Sequence, residues 1–294
     1  MNTGPVVTKK LKPFNYFSPA TIAEATSILE DHGPKAVVLA GGTDLLSMMK
    51  LRAVLPETVV SLTKIDGLNF IREEDGNLKI GALTPIAEIL ASDLVRRKYP
   101  CLHEATRNFA TPQIRNMATI GGNVCRSSPS GDTLPPLMAL EADLLLAGPK
   151  GQREVPVEAF FTGPGLNVLD REILTEITLP RPGEQFKTAF LKLTRNSSDL
   201  AKVNCAVTLA VKNGECSDVK IVLGAVAGRP VRARQAEQAL KGQPLNDETV
   251  ALAAEKVVED IDPISDARST AAYRTQVSKV LAARAIRRAA AQVV

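Results

Sequence analysis

The sequence predicts an α+β fold in two parts, and three observations carry that expectation. Segments of helical and strand periodicity interleave up to Leu179, without the strand, glycine loop and long helix of a doubly wound nucleotide fold. At Pro180–Gln185, "PRPGEQ" sets two prolines and a glycine between strand-like runs, a boundary composition. Beyond it, three strand-like runs with hairpin-like turns and three helical runs read as a small three-stranded antiparallel sheet backed by helices. The 294 residues suffice for one large domain or two ordinary ones. The boundary divides them into 1–182 and 183–294.

"SPATIAEATSILEDHG" is the first helix: Ser18 can cap it, Pro19 suits its first turn, and Thr21 and Glu24 have capping-box spacing. Ile22, Ala25, Ile28 and Leu29 share one face, and Gly33 ends the helix. "AVVLA" is a short buried strand running into Gly41-Gly42. "TVVSLTKI" and "NLKIGAL" are further strands, with the turn "EEDGN" and a short segment between them. "TPIAEILASDLVRRKYP" reads as a helix capped by Thr84 with Pro85 in its first turn, and "CLHEATRNFA" as another. After the turn "GPKGQ", "REVPVEAFF" and "EILTEITLP" close the first part with strands. In the second part, "TAFLKLTR", "AKVNCAVTLAVKNG" and "CSDVKIVLGAVAG" are the strands. "VRARQAEQALKG", "NDETVALAAEKVVED" and "DARSTAAYRTQVSKVLAARAIRRAA" are the helices.

Composition excludes several functions. The chain is 45% hydrophobic, yet no apolar stretch reaches the roughly 18 residues of a membrane span. The N-terminus has Lys9, Lys10 and Lys12 but no apolar segment after them, so no signal peptide and a cytoplasmic location are expected. The net charge of +4 is spread out, which argues against nucleic-acid binding; its densest cluster is Arg284, Arg287 and Arg288. Cys101, Cys125, Cys205 and Cys216 lack the spacing of a zinc or ferredoxin-type site and read as separate reduced thiols, with no metal site. His32 and His103 are the only histidines, and neither has a metal-binding partner nearby in sequence. A histidine-dependent hydrolase or a zinc enzyme is therefore not expected.

Two glycine breaks hold the chemistry. "VVLAGGTDLL" (Val37–Leu46) and "ATIGGNV" (Ala118–Val124) each interrupt an apolar run with a glycine pair followed by a polar residue. Without Cβ atoms, successive N–H groups can converge on one anion, and two such turns could hold a diphosphate from either side. No lysine follows either pair, which favours holding a diphosphate over cleaving it. "SSPSGD", ending at Asp132, follows the second pair closely, and core packing does not account for it.

In order and spacing, "AGGTDLL", "QIRNMATIGGNV" and "SPSGDTLPPLMALEADL" resemble the flavin domain of the FAD-binding medium subunits of the xanthine dehydrogenase and carbon monoxide dehydrogenase family of molybdenum hydroxylases. "DLAKVNCAVTLAV" and "SDARSTAAYR" resemble that family's C-terminal domain, so the likeness covers essentially the whole chain. It implies a two-part FAD-binding domain of the PCMH (vanillyl-alcohol-oxidase-like) type, followed by the small C-terminal domain. It also implies cofactor contacts. Val38, Leu39, Ala40, Gly41, Gly42, Thr43, Asp44 and Leu45 would wrap the diphosphate, with Thr43 adding a hydroxyl. Thr119, Ile120, Gly121, Gly122 and Asn123 would form the second diphosphate loop. Phe109 would pack near the flavin nucleotide, Asp132 would hydrogen-bond it, and Leu174 would line the flavin pocket. A family lysine on the first C-terminal strand contacts the cofactor; here Leu191 and Lys192 compete for that position, and Lys192 is the candidate.

The resemblance assigns the chain an electron-exit role with no catalytic side chain of its own. FAD would take electrons from the [2Fe–2S] clusters of a small partner subunit and pass them to NAD⁺ or another acceptor. A large partner subunit with a molybdenum (or tungsten) cofactor would act on the substrate. Two other readings compete: a stand-alone flavoenzyme of the same fold, and a scaffold that has lost its flavin. Neither histidine lies beside a glycine break, against a histidine-tethered oxidase, and both glycine pairs are intact, against the scaffold.

Overall fold

The structure, a computed structural model, describes residues 10–183 and 186–292. Glu184 and Gln185 of the expected boundary, and Lys9 of the N-terminal segment, lie outside the described residues. The N-terminal part opens with a small parallel sheet of β1 (Asn15–Phe17), β2 (Ala36–Leu39) and β3 (Thr58–Ser61), in the order β1-β3-β2. β2 is thus an edge strand, and the first glycine pair follows its C-terminal end. The helix Ile22–His32 crosses between β1 and β2. Its cap is Thr21, whose hydroxyl accepts from Glu24 N–H at 3.1 Å, so Ser18 and Pro19 lie outside the helix.

A second, antiparallel sheet contains β4 (Ile71–Glu74), β5 (Asn77–Gly81), β6 (Asp143–Gly148) and β7 (Gly151–Pro156). After a ribbon of β8 (Phe161–Gly163) and β9 (Leu166–Asn167) it takes its central strand, β10 (Ile173–Leu179), for the order β4-β5-β10-β6-β7. The charged run of β4 hid this strand in the sequence: three of its four residues are exposed, so no apolar alternation marks it. Helices between β5 and β6 supply much of the core, with Ile86, Ile89, Leu102, Ile120, Leu134 and Leu137 fully buried. The single helix expected over "TPIAEILASDLVRRKYP" is two, Ile86–Ala91 and Asp93–Lys98, divided at Ser92, whose hydroxyl caps the second. Thr84 caps neither; its hydroxyl accepts from Phe70 N–H and donates to Phe70 O.

The C-terminal part holds β11 (Phe186–Leu193), β12 (Val203–Lys212), β13 (Glu215–Gly224) and β14 (Val231–Arg232), antiparallel in sequence order. The fourth strand, two residues long, adds to the three expected. The sheet alternates by residue: Phe190, Ala206 and Val222 join the N-terminal core, while Ala189, Cys205, Val207, Ile221 and Leu223 pack against the C-terminal helices. Both faces of this sheet are therefore covered, and one covers the site.

Candidate cofactor site

The two glycine breaks meet in space. A Cβ on Gly41 would fall 1.7 Å from the carbonyl oxygen of Met117, just before the second break. A Cβ on Gly122 would fall 3.8 Å from that of Ala40. Gly42 has φ +72°, a left-handed turn that a side chain strains. Among the described residues, the N–H groups of Gly41, Gly42, Thr43 and Asp44 have no protein acceptor. The carbonyls of Gly42 and Asp44 already accept from Leu46 and Met48, starting the helix Leu45–Lys50. The segment therefore offers donors, as an anion requires.

The second break is built differently. Thr119 caps a helix, Ile120–Arg126, whose first turn contains both glycines. Its N–H groups are used within the protein: Ile120 to Thr84 O, Gly121 to Ala82 O, Gly122 to Thr119 Oγ1, Asn123 to Thr119 O. The open donor here is a side chain. Thr133 Oγ1 donates to Asn123 Oδ1 at 2.7 Å, and the NH₂ of that amide has no protein acceptor among the described residues.

The remaining residues join the same neighbourhood through this turn. Asp132, beside Thr133, is buried and paired with Lys192, Nζ to Oδ2 at 2.7 Å. Lys192 Nζ also donates to the carbonyl of Asn108, next to Phe109. Burial pushes the Asp132 carboxyl up to about 6, while Lys192 and Asn204 pull it down. Of the two candidates on β11, Leu191 packs toward the C-terminal core, and Lys192 alone reaches Asp132. Arg115 donates to the carbonyls of Phe109 and Ala110, fixing the turn that carries Phe109. Phe109 is mostly buried in the N-terminal core, as is Leu174, at a register shift in β10. Leu174 is linked onward: Thr175 O accepts from Ala82 N–H, and Ala82 O from Gly121 N–H.

Sequence reasoning missed Asn204, Asn108 and Met117. Asn204 had one signal, an amide inside the apolar run of "KVNCAVTLAV". Met117 and Asn108 act through backbone carbonyls and left none. The four cysteines are free, and burial pushes the thiols of Cys101, Cys125 and Cys205 up to about 12, the range of unreactive thiols. No group of three or more His, Cys, Asp or Glu among the described residues could hold a metal ion. No helix among them is long and apolar enough to cross a membrane.

Residues 12–182 match the family described as the FAD binding domain in molybdopterin dehydrogenase, and residues 188–289 the carbon monoxide dehydrogenase flavoprotein C-terminal domain. The glyceraldehyde dehydrogenase medium chain of Sulfolobus acidocaldarius is 35% identical, over 94% of this chain and 98% of that one. The xanthine dehydrogenase FAD-binding subunit of Escherichia coli O157:H7 is 34% identical, over 94% of this chain and 96% of that one. Among solved structures, carbon monoxide dehydrogenase from Hydrogenophaga pseudoflava, in a form lacking the Mo-pyranopterin moiety, superposes with a TM-score of 0.95 at 36% identity, over 97% of this chain and 100% of that one. The chain belongs to the FAD-binding medium-chain family of the molybdenum hydroxylases, the family of xanthine and carbon monoxide dehydrogenases, and is an oxidoreductase subunit.

Proposed function

We propose that this chain is the electron-relay subunit of a molybdenum (or tungsten) hydroxylase complex, located in the cytoplasm. It holds one FAD non-covalently, is supplied by the [2Fe–2S] clusters of a small partner, and delivers to NAD⁺ or another acceptor. A large partner chooses the substrate. FAD supplies the redox chemistry when bound, and the protein supplies position and electrostatics. The observation that carries the reading is the convergence of the two breaks: free N–H groups of Gly41–Asp44 stand beside the second break, whose turn carries the Asn123 amide. The N–H groups of the first break, with Thr43, would take the diphosphate. Asn123 would add a donor, and Asp132 would accept from the nucleotide. Phe109 and Leu174 would limit the pocket on its apolar side.

The test is direct. FAD should bind the purified chain at one per chain, and denaturation should release all of it intact. The assembled complex should reduce NAD⁺ or a dye with its substrate. A chain that takes up no FAD, or that keeps flavin after precipitation, overturns the cofactor reading; a complex that reduces dyes but not NAD⁺ overturns that acceptor.

A further inference from the structure

We propose that Asn204, on the C-terminal sheet, is a positioning residue: together with Lys192, the candidate cofactor contact beside it, it sets Asp132 and the Asn108–Phe109 backbone for the cofactor. FAD affinity then depends on how that sheet docks. The proposal rests on the FAD reading above. Lys192 and Asn204 are opposite each other in the β11–β12 register. Asn204 Nδ2 donates to Asp132 Oδ1 at 3.2 Å while Lys192 Nζ donates to Oδ2 at 2.7 Å. Both carboxylate oxygens of an N-terminal loop residue are thus taken by donors from the other part of the chain. Lys192 adds a bond to Asn108 O at 2.9 Å, so one ammonium ties two separate segments of the cofactor side together. The next residue, Thr133, passes the placement on to the Asn123 amide.

Asn204 looks wrong for packing alone. It is fully buried, and its Oδ1 has no hydrogen-bond partner among the described residues, a cost that an apolar residue would avoid. Gly224, its partner on β13, makes room for it: a Cβ there would fall 2.2 Å from Oδ1. A glycine opposite a half-satisfied amide fits a residue kept for the one bond it does make, the bond to Asp132. The other ion pairs across this junction run the same way among the described residues. Lys220 pairs with Glu141, Arg232 with Glu141 and Glu158, Arg234 with Glu158 and Arg288 with Glu104, each a C-terminal base on an N-terminal acid. These pairs flank the apolar contact of Phe190, Ala206 and Val222 with the N-terminal core, and at Asp132 the pairing enters the candidate site.

The experiment titrates FAD into folded wild-type chain and into Asn204→Leu, Lys192→Met, Lys192→Arg and Arg234→Gln, recording the visible band of the bound flavin. Asn204→Leu and Lys192→Met should each weaken binding by about tenfold or more and shift the band, from loss of a charge-assisted bond beside the cofactor. Lys192→Arg should recover most of the affinity. Arg234→Gln cuts a junction pair that does not touch Asp132, so it should lower the thermal midpoint and leave affinity and band unchanged. If Asn204→Leu does not fold, Asn204→Ser is small enough for the same strand and should also weaken binding. Wild-type affinity and spectrum in the Asn204 and Lys192→Met variants, beside a wild-type chain that binds FAD, would overturn the proposal. A wild-type chain that binds no FAD overturns the FAD reading, and this one with it.

Discussion

The two glycine breaks look alike in sequence and are different objects in space. Gly41-Gly42 ends an edge strand, turns through a positive φ at Gly42, and leaves its N–H groups without protein acceptors among the described residues. Gly121-Gly122 lies in the first turn of a capped helix, and its N–H groups are already bonded to Ala82 and Thr119. The first break presents backbone; the second removes side chains so that segments can close on one another. A glycine pair after an apolar run therefore signals close approach in both cases, but only the first pair leaves N–H groups that an anion could take.

Substituting each glycine by alanine separates these roles. The largest effect belongs to Gly41→Ala. Its Cβ would fall 1.7 Å from Met117 O, a backbone atom that cannot swing aside, so the breaks would have to part. We expect a stability loss of roughly 3 kcal/mol or more in denaturant titration, and loss of FAD binding with it. Unchanged stability would mean that the breaks do not touch. Gly121→Ala comes next: its Cβ would fall 2.6 Å from both Cβ and O of Ala82. Overpacking should outweigh the better helix propensity of alanine, leaving a loss of about 1–2 kcal/mol. Ala82→Gly in the same chain should restore part of it, since it removes the Cβ clash and not the carbonyl one. An additive double variant would show that the two residues are not in contact.

How much of this was legible beforehand follows from what each feature requires of a side chain. The capped first helix, the paired strands of the C-terminal sheet and both breaks were readable because periodicity, turn chemistry and glycine leave marks in sequence. The exposed, charged β4 left none, and neither did the division at Ser92, where one apolar pattern runs through two helices. At the candidate site, Asp132 was named from the sequence, but the hydrogen bond it accepts from Asn204 was not. That contact spans 72 residues and two parts of the chain, and only the register of β11 on β12 brings it about. Glycines in a helix's first turn were likewise read as a loop, because their use depends on Thr119 as cap and Ala82 as neighbour.

Gly42→Ala tests the presenting break without a backbone collision. Its Cβ would meet only the ends of the Leu39 and Leu46 side chains, at 3.2 and 3.3 Å, but φ is +72°. The left-handed conformation should cost roughly 1–2 kcal/mol of folding stability. FAD affinity of the folded protein should fall about tenfold as the turn relaxes and its N–H groups diverge, the loss of about one charge-assisted bond. Isothermal titration at a temperature where the variant is fully folded separates the two effects. Wild-type affinity there would move the diphosphate away from this turn.

The smallest effect is expected at Gly122→Ala, and it decides whether the comparison holds. A Cβ there would meet Thr119 Oγ1 at 2.8 Å and then nothing closer than Ala40 at 3.8 Å. The hydroxyl can rotate away at the expense of its cap bond to Gly122 N–H, worth about 1 kcal/mol. Alanine returns about as much through helix propensity, since this glycine has no positive φ to defend. Net stability should stay within about 1 kcal/mol of wild type, and FAD affinity within about threefold, because this N–H already bonds within the protein. Asn123→Ala is the matched control: it should weaken FAD binding, since Thr133 holds that amide through Oδ1 and leaves its NH₂ without a protein acceptor among the described residues. If Gly122→Ala folds like wild type and still loses FAD, the second break also gives its backbone to the cofactor. The Gly122 N–H would then have to leave Thr119 Oγ1 for the cofactor when FAD arrives, and a shift of the Gly122 amide resonance on FAD binding, with its exchange no faster than in the free chain, would show it.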